Sequence, residues 1–464
     1  MSPEVLARIA AIVGADNLLS DPADCWPYGY DNSRRQQLPA AVAFATSHEA
    51  IRQLLLLCNE TGIPLTPRGR GTGTTGATVP ARNGLVLSLE RMDRILRLDP
   101  DNRLMVVQPG VTNQQVQQQA AQHGLFWPPD PTSAAFCTVG GNLAYNSAGP
   151  RAVKYGTPRE NVLGLQAVSG GGQALRCGVQ TTKGVVGYDL TRLLIGSEGT
   201  LAVITEATLK LTPLAEAKIT MQAFYGDMES AARAIADIMG QAVTPCALEF
   251  IDGQAIAMIR HYSQAQLPQG AAAMLIIEVD GSAAEMEHAI AAIHRAADNE
   301  GQLDFQAARS PDETAALWAT RKALSPALRT VAPKKINEDV VVPVSTLPRL
   351  MDDLQRLARR HDITIVNFGH AGNGNIHVNL LVDPDDGAQL QRAESCLDEV
   401  FDLVLSLHGT LSGEHGVGLE KRDFIARELD PEALALMRGI KRLFDPRDIL
   451  NPGKMLPPAG AVDG

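Results

Sequence analysis

Apolar positions along the chain recur with period two in short runs and with a helical period in longer ones, which predicts a protein of mixed strands and helices. Residues 41–45 read as a short strand. Ser47 then caps a helix whose Ile51, Leu54, Leu55 and Cys58 share one face, and Gly62 ends it. Residues 63–66 lead on into a glycine-rich loop, so 41–76 forms a β–α–β unit. Residues 85–89 and 104–108 read as strands, 114–123 as a glutamine-rich helix, and two further strands precede Gly187. From Pro213 the texture changes. Strand 218–224, helix 228–239 and strand 247–251 are followed by strand 273–279, helix 284–299 and strand 303–307. A β–α–β unit used twice predicts a split antiparallel sheet with helices on one face. Helix 347–361, strand 363–367 and a hairpin extend that sheet, and a long helix over 390–407 ends at Gly409.

The hairpin carries the densest chemistry. The β-branched run Ile363-Thr364-Ile365-Val366 is broken by Gly369, Gly372 and Gly374, and Ile376-His377-Val378-Asn379-Leu380-Leu381 resumes the alternation. On the returning strand His377 and Asn379 share one face while Ile376, Val378 and Leu380 take the other. His370 enters from the loop. About one helix later, Ser412-Gly413-Glu414-His415-Gly416 sets a carboxylate beside another histidine. Two histidines and a glutamate form a common set for a divalent transition metal with positions left open for water or substrate. The residues alone leave His370 and His377 open between that role and ordinary core or surface histidines.

The loop Pro67-Arg68-Gly69-Arg70-Gly71-Thr72-Gly73-Thr74-Thr75-Gly76 exposes consecutive backbone N–H groups and permits close approach of a pyrophosphate. No Gly-Lys-Ser/Thr ends it, so it is no Walker loop, and no strand–loop–helix follows in the Rossmann manner.

Composition narrows the choice. A chain of 464 residues implies two or three domains, and a net charge of −11 without a basic run argues against nucleic acid and anionic lipid as partners. The start, with Glu4 early and no long apolar run, resembles neither a secretory signal nor a transit peptide, and no stretch approaches the roughly 20 apolar residues of a membrane span. A cytoplasmic location is expected, with peripheral attachment at the inner face of a membrane left open. The six cysteines contain no Cys-x-x-Cys pair, so no iron–sulfur cluster, zinc ribbon or c-type haem site is written here.

Five ordered motifs, Pro-Arg-Gly-Arg-Gly-Thr-Gly from Pro67, Pro-Asp-Pro-Thr-Ser from Pro129, Gly140-Gly141-Asn142 with Asn146-Ser147-Ala148-Gly149, Gly187-Tyr188-Asp189-Leu190 and Gly196-Ser197-Glu198-Gly199-Thr200-Leu201, resemble the flavin domain of the vanillyl-alcohol oxidase and p-cresol methylhydroxylase flavoproteins. With the two C-terminal histidine motifs, the chain is similar to the FAD-dependent D-2-hydroxyacid dehydrogenase branch, which includes D-lactate dehydrogenase, D-2-hydroxyglutarate dehydrogenase and the glycolate oxidase flavoprotein subunit. The resemblance covers about residues 39–456. It implies an α+β fold: a two-subdomain FAD-binding domain of the p-cresol methylhydroxylase type over 1–213, an α+β cap domain with a ferredoxin-like antiparallel sheet over 214–411, and a C-terminal segment, 412–464, that carries the Glu-His motif and returns to the FAD domain.

Carried over to this sequence, the resemblance implies that Arg68, Gly69, Arg70, Gly71, Thr72 and Gly73 cradle the FAD pyrophosphate. Asp130, Pro131, Ser133, Gly140, Gly141, Asn142, Asn146 and Gly149 would line the flavin and ribityl region. Glu198, Gly199, Thr200 and Ile204 would finish the adenine and phosphate side, and Asn451 would return to it. No histidine or cysteine lies in the 68–76 loop, so the FAD is expected to be non-covalent. His370, His377 and Glu414 would hold a divalent metal, Zn²⁺ or Mn²⁺, and His415 would be the catalytic base. Arg321, Ser325 and Lys335 would take the substrate carboxylate, with Asn379 orienting ligand or substrate. Arg321 and Ser325 stand i,i+4 and would face the same way on one helix.

In the hydroxyglutarate branch the hydroxyl residue is usually Thr and the Lys sits two before an Asp. Here Ser325 replaces the Thr, Lys335 stands four before Asp339, and Asn337 occupies the position two before it. The expected reaction is therefore oxidation of a small D-2-hydroxy acid, D-lactate ahead of D-2-hydroxyglutarate, to the 2-keto acid. Electrons would pass to a quinone, cytochrome or electron-transfer flavoprotein rather than NAD. A subunit of a glycolate oxidase complex, a non-catalytic flavin- or zinc-binding scaffold, and a homodimer are left open.

Overall fold

The structure is a computed structural model that describes residues 1–262, 267–322 and 324–458. It divides into two compact units. The first contains Met1–Gly149, Gly156–Leu214 and the chain from Glu414 onward; the second contains Pro150–Tyr155 and Ala215–Gly413.

Two sheets build the first unit. Ala41–Phe44, Leu85–Ser88 and Leu65–Arg68 run parallel, with Leu18–Leu19 antiparallel at one edge. All twelve residues of the three parallel strands except Pro67 are buried, as a parallel sheet covered on both faces requires. The helix His48–Thr61 lies against this core, started by Ser47, whose hydroxyl accepts the Ala50 N–H, and stopped by Gly62 at φ 69°. The second sheet is antiparallel, in the order Ile95–Asp99, Leu104–Val107, Ala202–Lys210, Val162–Ser169, Ala174–Gly178. The helix Asn113–Ala121, opened by a Thr112–Gln115 capping box, packs into its core through Val116 and Ala120. Strand Ile95–Asp99 goes beyond the sequence reading; its burial alternates poorly, so period two is weak there. The C-terminal segment rejoins the parallel sheet, with the Leu65 N–H donating to Ile449 O at 2.8 Å and the Asn451 N–H donating to Leu65 O at 3.0 Å.

The second unit is organised on a seven-stranded sheet in the order Gln302–Ala307, Ala217–Tyr225, Ala273–Gly281, Ala247–Asp252, Thr364–His370, Asn375–Val382, Lys334–Val341, every neighbouring pair antiparallel. Helices Met228–Gly240, Met286–Ala297, Leu347–His361 and Gly387–Ser406 cover one face. The expectation of helices on one face only is corrected by the other face. There Phe224, Ile251, Met274, Ile276, Val366 and Phe368 form an apolar surface, which Ala255, Ile256 and Ile259 of helix Gly253–Tyr262 and Leu324 and Leu328 of helix Leu324–Val331 close over. A sheet with both faces apolar must be covered on both. None of the helices among the described residues is long and apolar enough to cross a membrane.

Candidate active site

Register brings the polar residues of the second unit together. On the face under helix Gly253–Tyr262, Glu249, His370 and Asn375 align across three strands, and the next row is Ile251, Phe368, His377 and Asp339. The row after that pairs Val366, Asn379 and Asn337. His370 ends its strand, a tight turn over Ala371–Asn373 follows, and Gly374 at φ 71° starts the return; a side chain at Gly374 would run into the carbonyl of Val342. The His370 and His377 rings lie edge to face, with centroids 5.4 Å apart.

Glu249, 1% exposed, uses both oxygens: one meets His370 Nδ1 at 2.5 Å and the other accepts from Arg321 Nε at 3.1 Å. Burial by itself would raise the Glu249 pKa, and the interactions with His370 and Arg321 outweigh it and bring it below the ordinary range. The Arg321 guanidinium also stands over the Phe368 ring, 4.8 Å from its centroid. Asn379 is fully buried and donates to Val366 O at 3.1 Å and His377 O at 2.9 Å. Asp339, also fully buried, accepts from the Ser412 hydroxyl at 3.1 Å and from the Gly413 N–H at 2.9 Å, which fixes the chain one residue before Glu414.

Of the expected metal ligands, His370 and His377 lie side by side in the second unit, and Glu414 begins the C-terminal part of the first. The set fits a divalent metal: two imidazoles and a carboxylate, with Glu249 occupying Nδ1 of His370 so that Nε2 is the ligating atom.

Of the residues expected at the substrate carboxylate, Arg321 is in the last turn of helix Pro311–Lys322 and Ser325 in helix Leu324–Val331. The side chain of Ser325 lies outside the described residues, as does that of Arg329. Lys335 is exposed on strand Lys334–Val341, where alternation puts it on the same face as Asn337 and Asp339.

In the first unit the glycine loop follows strand Leu65–Arg68. Arg68 is buried, donating to Tyr30 O at 2.8 Å and Pro27 O at 3.3 Å, and its guanidinium lies over the Tyr28 ring. Its charge therefore anchors the loop from behind. Gly71, at φ 65°, has no room for a Cβ because the Arg68 guanidinium fills the space, and a Cβ at Gly73 would lie 2.6 Å from the Tyr145 hydroxyl oxygen. The loop borders a cavity of about 240 Å³ whose walls include Gly69, Arg70, Gly71, Thr72, Gly73, Pro131, Ser133, Gly141, Asn142, Glu414 and His415. A smaller space of about 50 Å³ shares Gly69, Thr138, Gly141 and Tyr145 with it and adds Arg68, Gly140, Glu198, Gly199 and Asn451. These backbone-lined spaces suit a phosphate-bearing cofactor.

Other expected cofactor positions have structural partners. Asn146 is the left-handed cap of helix Val139–Tyr145, and its side-chain oxygen accepts the Arg159 N–H. The Gly149 N–H donates to Glu414 at 2.9 Å, and a Cβ at this position would lie 2.5 Å from Asp130 O. The Thr200 hydroxyl donates to Ser197 O, and Ile204 is core in the five-stranded sheet.

Glu198, at φ 52°, accepts the N–H groups of Val417 at 2.6 Å and Gly418 at 2.8 Å. Burial pushes its pKa up to about 7 against those donors. Nearby Lys454, brought down to about 7 by burial, donates to Ala77 O at 2.7 Å and Asn451 Oδ1 at 2.9 Å. The Leu419 N–H and the Thr75 hydroxyl bind Thr75 O and His415 O respectively, so the segment carrying His415 is stitched to the glycine loop. Sequence reasoning missed Glu249, Asp339 and this use of Glu198. The signal for Glu249 was present, since it is an acid inside the apolar run Ala247-Leu248-Glu249-Phe250-Ile251.

The chain thus combines a glycine-lined cavity in one unit with a histidine–carboxylate cluster on a covered antiparallel sheet in the other. Residues 39–178 match the family described as FAD binding domain and residues 214–455 that described as FAD linked oxidases, C-terminal domain. The chain belongs to the FAD-linked oxidases, within the vanillyl-alcohol oxidase and p-cresol methylhydroxylase superfamily, and is an FAD-dependent oxidoreductase of its lactate and glycolate dehydrogenase branch.

It is 37% identical over 456 residues to a glycolate oxidase subunit GlcD of Bacillus subtilis, covering 98% of this chain and 97% of that one. It is 34% identical over 425 residues to a D-lactate dehydrogenase of Anaerostipes hadrus, covering 90% and 89%. Among solved structures, p-cresol methylhydroxylase with substrate bound superposes with a TM-score of 0.79 at 17% identity, over 98% of this chain and 96% of that one, which shows the fold.

Proposed function

We propose that the protein oxidises a small D-2-hydroxy acid, D-lactate before D-2-hydroxyglutarate, and passes the electrons to an external acceptor other than NAD. The observation that carries this reading lies within the second unit, where one buried carboxylate, Glu249, holds both His370 and Arg321, with His377 edge to face against His370. FAD held non-covalently along Gly69–Gly73 and the walls named above would supply the hydride acceptor. Zn²⁺ or Mn²⁺ held by His370, His377 and Glu414 would supply Lewis acidity toward the α-hydroxyl.

Among the described residues Arg321 engages Glu249 through Nε, and the two Nη groups of its fork would receive the substrate carboxylate. Ser325 and Lys335 complete that binding, and Asn379, locked by Val366 O and His377 O, orients the His377 side of the site. His415 receives the hydroxyl proton on its imidazole while the fixed carboxylate and hydroxyl turn one face of Cα outward, which selects the D enantiomer. A second carboxylate would need its own buried cation, because an unpaired one costs several kcal/mol.

The test is anaerobic bleaching of the flavin absorbance by D-lactate, L-lactate, D-2-hydroxyglutarate and glycolate. Bleaching fastest with D-lactate is expected. No bleaching by any acid would favour a non-catalytic scaffold, and preference for D-2-hydroxyglutarate would reveal a second anion site. The likeness to a glycolate oxidase subunit favours a second reading, in which the chain oxidises glycolate as part of a complex. Dye reduction by the purified chain alone, compared with glycolate and with D-lactate, separates the two.

A further inference from the structure

We propose that Glu249 is a positioning residue serving two partners at once: it fixes the His370 ring for the metal and aims Arg321 at the substrate carboxylate. This rests on the metal-assisted reading above. The geometry is set by the backbone, since Glu249 stands directly across an antiparallel pair from His370. The carboxylate is 1% exposed, and its two oxygens are divided between His370 Nδ1 at 2.5 Å and Arg321 Nε at 3.1 Å.

An Nδ1–H donated to a carboxylate selects one tautomer, places the lone pair on Nε2 and makes that nitrogen more basic. The same carboxylate holds Arg321 against Phe368, so the fork loses few rotamers when an anion arrives. Metal affinity and acid recognition therefore share one buried group on the central strand, the fourth of seven counted from the edge at Gln302–Ala307. Glu278 is a natural control. It is a second buried acid on the same sheet face, engaged by Thr220, Lys218 and Trp318 and, among the described residues, by no histidine.

The experiment is competition for Zn²⁺ between a chromophoric chelator and the FAD-loaded full chain, for wild type, E249Q, E249L, E278Q, H370A and the H370A/E249Q double variant. E249L is expected to weaken Zn²⁺ binding by about 10–100-fold, E249Q by less because a carboxamide oxygen still accepts the Nδ1–H, and E278Q not at all. In the H370A background E249Q should add nothing, the mark of action through His370. E249Q should also raise KM for the acid several-fold. If E249L fails to fold, the E249Q and H370A cycle carries the test. Zn²⁺ binding unchanged in E249Q and E249L but lost in H370A would overturn the role of Glu249 alone. Zn²⁺ binding equal in wild type and H370A would overturn the metal site itself, and this inference with it.

Discussion

The ligand-facing groups of the two units are made from different material. Around the glycine loop the surfaces offered to a ligand are largely backbone, and the side chains that matter, Arg68, Tyr145 and Glu198, work from behind by filling space or gripping N–H groups. On the sheet of the second unit the offered groups are side chains: His370 and Arg321, from different elements, are both held by the Glu249 carboxylate, and Asn379 is held by two backbone carbonyls. The first design depends on conformations that only glycine adopts without strain. The second depends on register, because a slip of one residue would turn His370, His377 and Glu249 to the opposite face.

The difference is sharpest if the two halves fail separately. H370A or H377A should abolish turnover, or reduce it by more than about 10³-fold, comparable to or beyond the upper part of the range for a lost acid–base group, while FAD stays bound. Elemental analysis and the flavin spectrum of the purified variants check it, and full activity without metal would sink the metal-assisted reading. Next in size, H415A or H415N should lower kcat by about 10²–10⁴-fold with both metal and FAD retained. Unchanged kcat would make His415 structural.

The complementary lesion is G71A. A Cβ there meets the Arg68 guanidinium and a left-handed φ together, so the loop should be destabilised by about 1–3 kcal/mol and FAD affinity should fall while Zn²⁺ binding holds. Loss of Zn²⁺ in G71A would break the separation between the halves.

The smallest effect concerns Glu198, whose pKa is pushed from 4.5 up to about 7. A carboxyl raised in the folded state gives its stability below the unfolded value and loses it as pH climbs to the folded one. Removing it in E198Q should therefore make the variant's stability, relative to wild type, rise between about pH 4.5 and 7. Denaturant midpoints of the two proteins across that window read it, and a flat difference would show that the carboxylate is ionised throughout.

Much of this architecture was legible in the residues. Ser47 and Gly62 marked a helix and the alternation of Ile376 to Leu381 marked a strand, because caps and pleat are local properties. Strand Ile95–Asp99, helix Gly253–Tyr262 and the second covered face of the sheet were not legible, since their burial comes from neighbours rather than from their own period.

The same boundary runs through the site. The sequence by itself determined which residues could bind metal or cradle a phosphate, for those capacities belong to side-chain chemistry and glycine's freedom. Only the tertiary structure decided that Glu249, 121 positions before His370, takes its Nδ1 and that Asp339 holds the residue before Glu414. Strand order and register determine which distant side chains share a buried space, and burial is what makes an acid seek those partners.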